Sequence, residues 1–335
     1  MTNLSTRTVI NRRRLLGASA FLAAAAAAPA LRPTMAGAQE SVTLTLVAYS
    51  TPREAYEQLI PLFAASTAGA GVAFDQSYGA SGDQSRAVEA GLPADVVAFS
   101  LEPDITRLVK AGLIDETWNA GEHAGMVTNS VVAFGVRPGN PKAIAGWADL
   151  LKEDVQTLTP NPLTSGGARW NVMAAWGAAL DDGKTEDEAK TYLRDLFQRV
   201  PVQDKSARES LQTFVGGVGD VLIGYENELE LAKANGEELD IVIPAKTILI
   251  ENPVAIVNTS AHPEAARAFV DYLLTPEAQK VFGDNHYRPV DETILATFEF
   301  VAPETLFTIA DLGGWSEAGA RFFDPDTGIV AEVQG

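Results

Sequence analysis

Short β-branched runs alternate with helix starts along most of the chain, and this alternation restricts the fold more than any other feature. Val42–Tyr49 (VTLTLVAY) reads as a buried strand. Thr51 and Glu54 then form a capping box with Pro52 at the first helical position, and apolar residues continue at helical spacing through Phe63. The pattern repeats. Strands are expected near Val72–Asp75, Ala94–Phe99, Val131–Val136, Val155–Leu158, Asp220–Gly224, Ile241–Pro244 and Ile248–Val257. Helices are expected from Asp83, over Ile105–Ala111 and Gly166–Leu180, from Ser206 through Phe214 and over Pro263–Leu274. Ser81 with Gln84, and Ser206 with Glu209, read as two further capping boxes. Strands alternating with helices imply an α/β protein with mainly parallel sheets. No solenoid repeat or low-complexity linker appears after the first forty residues or so, so two lobes would be joined by crossing strands. Val131–Val136 and Ile248–Val257 suit that role best.

Several strands end in a small polar turn that opens a helix. These turns are Ser50-Thr51-Pro52, Ala80-Ser81-Gly82, Thr164-Ser165-Gly166-Gly167 and Lys205-Ser206. A helix start offers backbone N–H groups without intrahelical acceptors and the positive end of the helix dipole. Glycine lets a ligand come close to the backbone. Such turns can hold an anion with no lysine or arginine contact, and they lie where open α/β sheets bind ligands. A single turn of this kind is most simply a structural cap; four in one chain point further.

The N-terminal stretch reads as an export signal. Arg12, Arg13 and Arg14 precede an apolar run from Leu15 to Ala30, and Ala36-Gly37-Ala38 supplies a small-residue cleavage end. Asn11-Arg12-Arg13-Arg14-Leu15-Leu16 fits a twin-arginine signal, with a general secretory signal as the alternative. The chain has no cysteine, hence no disulfide and no cysteine for a lipid anchor. Removing residues 1–38 takes five arginines from 25 bases and nothing from 44 acids, leaving 20 against 44 and a formal charge of −24. So acidic a body is a poor partner for nucleic acid or an anionic membrane. It is not thereby unfit for an anion, because charges beyond about 8–10 Å are largely screened at physiological salt.

Several segments resemble the bacterial sulfate-binding proteins of ABC importers. They are Tyr78-Gly79-Ala80-Ser81-Gly82-Asp83-Gln84-Ser85-Arg86 with Ala94-Asp95-Val96-Val97, then Thr159-Pro160-Asn161-Pro162 with Thr164-Ser165-Gly166-Gly167-Ala168-Arg169-Trp170-Asn171. Gly219-Asp220-Val221-Leu222-Ile223 with Glu226-Asn227-Glu228, Arg137-Gly139-Asn140-Pro141, Tyr287-Arg288-Pro289 and Gly313-Gly314-Trp315 also match, in order over the mature chain. The resemblance implies a two-lobed periplasmic-binding-protein fold of the type II kind, with mixed, mainly parallel sheets and a cleft between lobes. Residues 1–38 would be the export signal, 39–133 with 250–300 one lobe, 134–249 the other, and 301–335 a C-terminal helical segment on both.

Residue by residue, the resemblance places an anion against Ser50 and Ser81 from one lobe, and Ser165, Gly166, Gly167, Ser210 and Tyr225 from the other. Arg53, Arg169, Arg208 and Glu226 match positions near the site and would orient its turns through ion pairs; exposed pairs of little consequence are the competing expectation. Family members often carry Asp where Ser50 stands and Trp where Tyr225 stands. Tyr225 can still donate one hydrogen bond, but its hydroxyl can also accept, which would tolerate a protonated ligand. Ser210 replaces a small apolar residue.

A pocket made of donors suits sulfate, which carries no proton at neutral pH. Phosphate would turn a proton toward a donor and leave buried groups unpaired, at about 1–3 kcal/mol each. Thiosulfate, molybdate, tungstate and phosphate remain alternative ligands of similar shape. The partners implied are the membrane permease subunits of an importer, for a soluble, monomeric, extracytoplasmic receptor without a cofactor. An enzyme is the rival class, an anion-dependent hydrolase for instance. His123, His262 and His286 are scattered, and no G-x-S-x-G elbow or Walker loop occurs. A purely structural envelope protein is the third reading.

Overall fold

The computed structural model describes residues 42–334. The export signal over 1–38, its arginine cluster and the cleavage end at Ala38 lie outside the described residues. The strands are β1 Val42–Tyr49, β2 Val72–Gly79, β3 Val96–Ala98, β4 Met126–Val136, β5 Thr157–Leu158, β6 Val221–Tyr225, β7 Asp240–Val242, β8 Lys246–Ile256, β9 Arg288–Pro289 and β10 Thr305–Phe307. The helices are α1 Arg53–Ala65, α2 Ser81–Glu89, α3 Glu102–Lys110, α4 Gly166–Asp181, α5 Glu186–Phe197 and α6 Ala207–Val215. They continue with α7 Glu226–Ala234, α8 Pro263–Leu273, α9 Pro276–Asp284, α10 Glu292–Leu295, α11 Gly314–Phe322 and α12 Ile329–Gln334.

The main sheet runs β2-β1-β3-β8-β4-β6-β5. It is mixed. Pairing is parallel toward both ends, where β1 meets β2 and β3, and β5 meets β6. It is antiparallel around the two eleven-residue strands β4 and β8. The first half of β4 pairs with β8, whereas Val132–Val136 pair with β6. In β8, Leu249–Pro253 pair with β4 and Val254–Ile256 pair with β3. These long strands are the two segments that the sequence singles out as crossings.

Successive residues of β1 and β4 point to opposite faces, and both faces are buried along much of these two strands. Leu46 and Ala48 of β1 pack with Tyr56, Leu59, Phe63 and Phe269, while Val47 joins Val97, Phe99, Ile105 and Leu108 on the opposite face. In β4, Val132, Phe134 and Val136 pack with Trp170, Trp176 and Leu193, while Ala133 joins Leu158, Phe214 and Leu229.

Two of the expected caps take other partners. Helix α1 starts at Arg53 with Pro52 as its cap, and Glu54 is turned to Arg208 instead of closing a box with Thr51. Helix α2 starts at Ser81, two residues before the expected Asp83, and Ser81 donates its hydroxyl to Asp104 while Gln84 donates to Ser77. At α6 Ser206 does accept from the Glu209 N–H, but the Glu209 carboxylate accepts from Lys205 N–H rather than from the cap itself. The side-chain groups of the first two boxes are drawn into tertiary contacts, which outcompete local capping.

Phe63 is fully buried, with its ring 5.2 Å from Phe269 and 6.1 Å from Phe74. Phe63→Ala is expected to lower unfolding free energy by about 3–5 kcal/mol in urea titration. A loss under about 1 kcal/mol would mean that this cluster does not hold α1 to the sheet.

Candidate anion-binding site

Six segments, most of them strand ends and helix starts, wall one small cavity. Tyr49, Ser50 and Thr51 reach it from the end of β1, and Gly79, Ala80 and Ser81 from the passage between β2 and α2. Ser100 follows β3, and Tyr225 ends β6. Ser165, Gly166 and Gly167 open α4, and Ser206 and Ala207 open α6. No charged side chain lines it. The centre of a water-sized sphere can move through about 10 Å³. Adding the radius of that sphere gives a hole roughly 2.7 Å in radius, room for one small ion and not for a sugar or peptide. A wider groove of about 400 Å³ between α6 and α7 has Arg208, Glu228 and Glu237 in its wall; Arg208 is paired with Glu228, which leaves the Glu237 carboxylate to disfavour an anion there.

At the starts of α4 and α6 the hydrogen-bonding directions follow from the local fold. Gly166 and Gly167 are the first two residues of α4, and Ala207 is the first of α6, so their N–H groups have no acceptor in their own helices. Ser165 accepts from Ala168 N–H and Ser206 from Glu209 N–H, which leaves each hydroxyl hydrogen free to turn elsewhere. Gly166 is dictated by space. A Cβ on Gly166 would stand 2.5 Å from Ser100 Oγ and 2.4 Å from Leu101 Cδ2. One on Gly167 would meet Ala207 and Tyr225 at 3.4 Å, an ordinary contact distance.

Behind the wall lies a buried polar chain. Ser81 donates to Asp104 Oδ2 at 2.6 Å and accepts from Ser100 N–H at 2.9 Å. Ser100 C=O accepts from Trp170 Nε1 at 2.8 Å and from Asn252 Nδ2 at 2.9 Å. Its hydroxyl meets Tyr225 Oη at 2.6 Å. Gly82 N–H donates to Thr164 C=O at 3.0 Å, tying the start of α2 to the turn before α4. Burial raises the Asp104 carboxyl, against the opposing pull of Arg169 and the Ser81 hydroxyl.

The fold brings together Ser50, Ser81, Ser165, Gly166, Gly167 and Tyr225 of the residues expected at the site. Ser210 is the correction. It lies one turn into α6, its N–H donates to Ser206 C=O and its hydroxyl donates to Asp204 at 3.1 Å. The first turn of the helix, Ser206-Ala207, occupies the place expected for it, because only there are N–H groups unpaired. Ser100 and Ala207 were missed; the signal for Ser100 was its position just after a buried strand, at the carboxyl edge of the sheet.

The four outer residues divide. Arg208 binds Glu54 at 2.5 and 2.8 Å, Glu228 at 3.0 Å and Thr51 C=O at 3.2 Å, so it spans from α6 to α1 beside the cavity. Burial pushes Glu54 up, but the hydrogen bonds and charge of Arg208 bring its pKa below the usual value. Glu226 pairs with Arg288 at 2.7 Å, away from the cavity wall. Arg53 is exposed and stacks over Tyr78, and Arg169 donates to Pro162 C=O and lies over Phe323.

A curled mixed sheet with one small, neutral, donor-lined cavity at its helix starts defines a receptor for a small solute. The chain belongs to the bacterial extracellular solute-binding protein family, whose model matches residues 44–288. It is similar to the sulfate-binding protein of Synechococcus elongatus, with 47% identity over 89% of this chain and 88% of that one. A thiosulfate-binding protein of Pseudomonas aeruginosa is 35% identical over 96% of this chain and 98% of its own. The solved sulfate-binding protein SubI of Mycobacterium tuberculosis superposes with a TM-score of 0.82 and 45% identity, over 84% of this chain and all of that one. The chain is a solute-binding protein and not an enzyme.

The raised Asp104 has a definite linkage sign. The native state holds this proton more tightly than the unfolded chain, so the group's contribution to stability falls as pH rises from the unfolded value through the native one. Asp104→Asn removes that slope. Urea midpoints between pH 4 and 7 are therefore expected to show the variant gaining on the wild type as pH rises; a constant or shrinking difference would contradict the raised pKa.

Proposed function

We propose that this chain is an extracytoplasmic receptor that captures sulfate in the donor-lined cavity and delivers it to the permease subunits of an ABC importer. The observation that carries this reading is the wall itself: a cavity for one small ion, lined by backbone N–H and hydroxyl groups and by no charged side chain. Sulfate accepts hydrogen bonds at every oxygen and has no proton to turn toward a donor. Bonds to a charged acceptor contribute about 1.5–3 kcal/mol each, and each helix start adds about 0.3–2 kcal/mol. The cost of taking a dianion out of water offsets much of this. A net near −8 kcal/mol corresponds to a micromolar Kd. The sulfate-binding names of the relatives support the choice of ligand, and the thiosulfate-binding relative marks the analogue to test beside it.

On this reading Ser50, Ser81, Ser165, Gly166, Gly167, Ala207 and Tyr225 hold the anion. Residues 39–133 with 250–300 act as one lobe and 134–249 as the other, with 301–335 packed on them and β4 and β8 as the crossings. Lobe closure then keeps water from the ligand. Arg208 with Glu54 joins the lobes beside the anion. The mature chain is a free monomer without a lipid anchor.

Isothermal titration of the mature protein with sulfate should give one saturable site with micromolar or tighter Kd, and thiosulfate titrated alongside tells the two apart. Sulfate at about 100 times Kd should stabilise the protein by about 2.7 kcal/mol. Ser165→Glu, which sets an acid at the start of α4, should abolish the binding heat while the protein still melts cooperatively. Absence of saturable binding in the wild type, or undiminished affinity in this variant, overturns the reading.

A further inference from the structure

The hydroxyls on the cavity wall are not equivalent. Ser81 spends its hydrogen on Asp104. Ser165 and Ser206 each accept from a backbone N–H of their own helix, which leaves their hydrogens free to donate to a ligand. Ser100 and Tyr225 are different, because they bond to one another at 2.6 Å and either can be the donor. Both line the cavity and both are only 1% exposed. They come from opposite parts of the sheet, Ser100 after β3 and Tyr225 at the end of β6.

A pair of hydroxyls joined this way has a fixed polarity as a unit. The one that donates within the pair has its hydrogen engaged and can show only lone pairs to a ligand. The one that accepts keeps its hydrogen and can donate. Reversing the bond exchanges the two roles without moving a heavy atom. The pair therefore presents one donor and one acceptor, where an indole would present a donor alone.

We infer that Ser100 and Tyr225 act as one reversible unit that lets this cavity hold a hydrogen-bearing tetrahedral oxyanion as well as a fully deprotonated one, with Ser100 as the residue that sets the discrimination. The inference rests on the sulfate reading of the same cavity. The acceptor that this pair presents exists only while both hydroxyls are present. Take either away, and the hydrogen of the other has the ligand as its remaining target. The wall at the end of β6 then offers a donor alone, and a protonated oxygen placed there meets it hydrogen to hydrogen.

The test is titration of the mature protein with sulfate and, separately, with inorganic phosphate at pH 7, in the wild type, Ser100→Ala and Tyr225→Phe. The wild type should bind both, phosphate more weakly. In each variant the ratio of phosphate Kd to sulfate Kd should rise by about tenfold or more, the effect of one unpaired buried group. A merely structural role would weaken both anions together and leave the ratio unmoved, which would overturn the inference. So would a wild type that binds sulfate but shows no phosphate binding at millimolar concentration; the sulfate reading would survive that result. A wild type that binds neither overturns both. Thermal melts identify the folded variants, and Tyr225→Phe decides if Ser100→Ala does not fold.

Discussion

The structure depends on one constraint: the first N–H groups of a helix have no acceptor within it. Here the starts of α2, α4 and α6 face a single cavity, so several such groups need the same partner. Strand order makes this possible. The turns that open α1 and α2 follow β1 and β2, on one side of the β4–β8 pair, while those that open α4 and α6 lie with β5 and β6 on the other. Gly166 lets the start of α4 approach Ser100 more closely than a side chain would permit. An oxyanion is the simplest partner for such a set, since it accepts on all sides.

Charge is arranged around this point without entering it. The acidic excess of the chain, 44 acids against 25 bases, acts through a field that is screened within about a Debye length. Asp104 comes nearest, one hydroxyl behind the wall, and there it orients Ser81. It also turns the Ser81 oxygen into an acceptor for Ser100 N–H, which holds the loop after β3 in place. Arg208 stands beside the cavity, but its hydrogen bonds are taken by Glu54, Glu228 and Thr51. A cation so occupied has little left for a ligand. On the proposed reading the selectivity of the wall lies in where hydrogens point, and in the Ser100–Tyr225 pair that direction is not dictated by the backbone.

Much of the fold was legible. The run VTLTLVAY gives β1 at its observed bounds, and Gly166–Leu180 gives α4 to within one residue, because buried β-branched and long apolar patterns leave few options. Less legible were α5, α7 and α9. Helix α5 has the capping box that forms in full, Thr185 with Glu188, yet it lay in a polar stretch without a strong strand before it. The caps read at Thr51 and Ser81 failed for the opposite reason. Their spacing was right, but Glu54 and Ser81 found better partners in Arg208 and Asp104, far away in the chain.

The sequence by itself determined the alternation of strand and helix, the small polar turns at the helix starts, and the glycines that only those turns could need. These are local matters, settled by side-chain period, β-branching and the demand of helix ends for caps. Only the tertiary structure decided which turns share a cavity, that Ser206-Ala207 and not Ser210 reach it, and that Ser100 meets Tyr225. Those outcomes depend on strand order and on approach distances of a few ångströms between segments some twenty to more than one hundred residues apart, such as Ser81–Ser100 and Ser100–Tyr225. No local pattern encodes such distances.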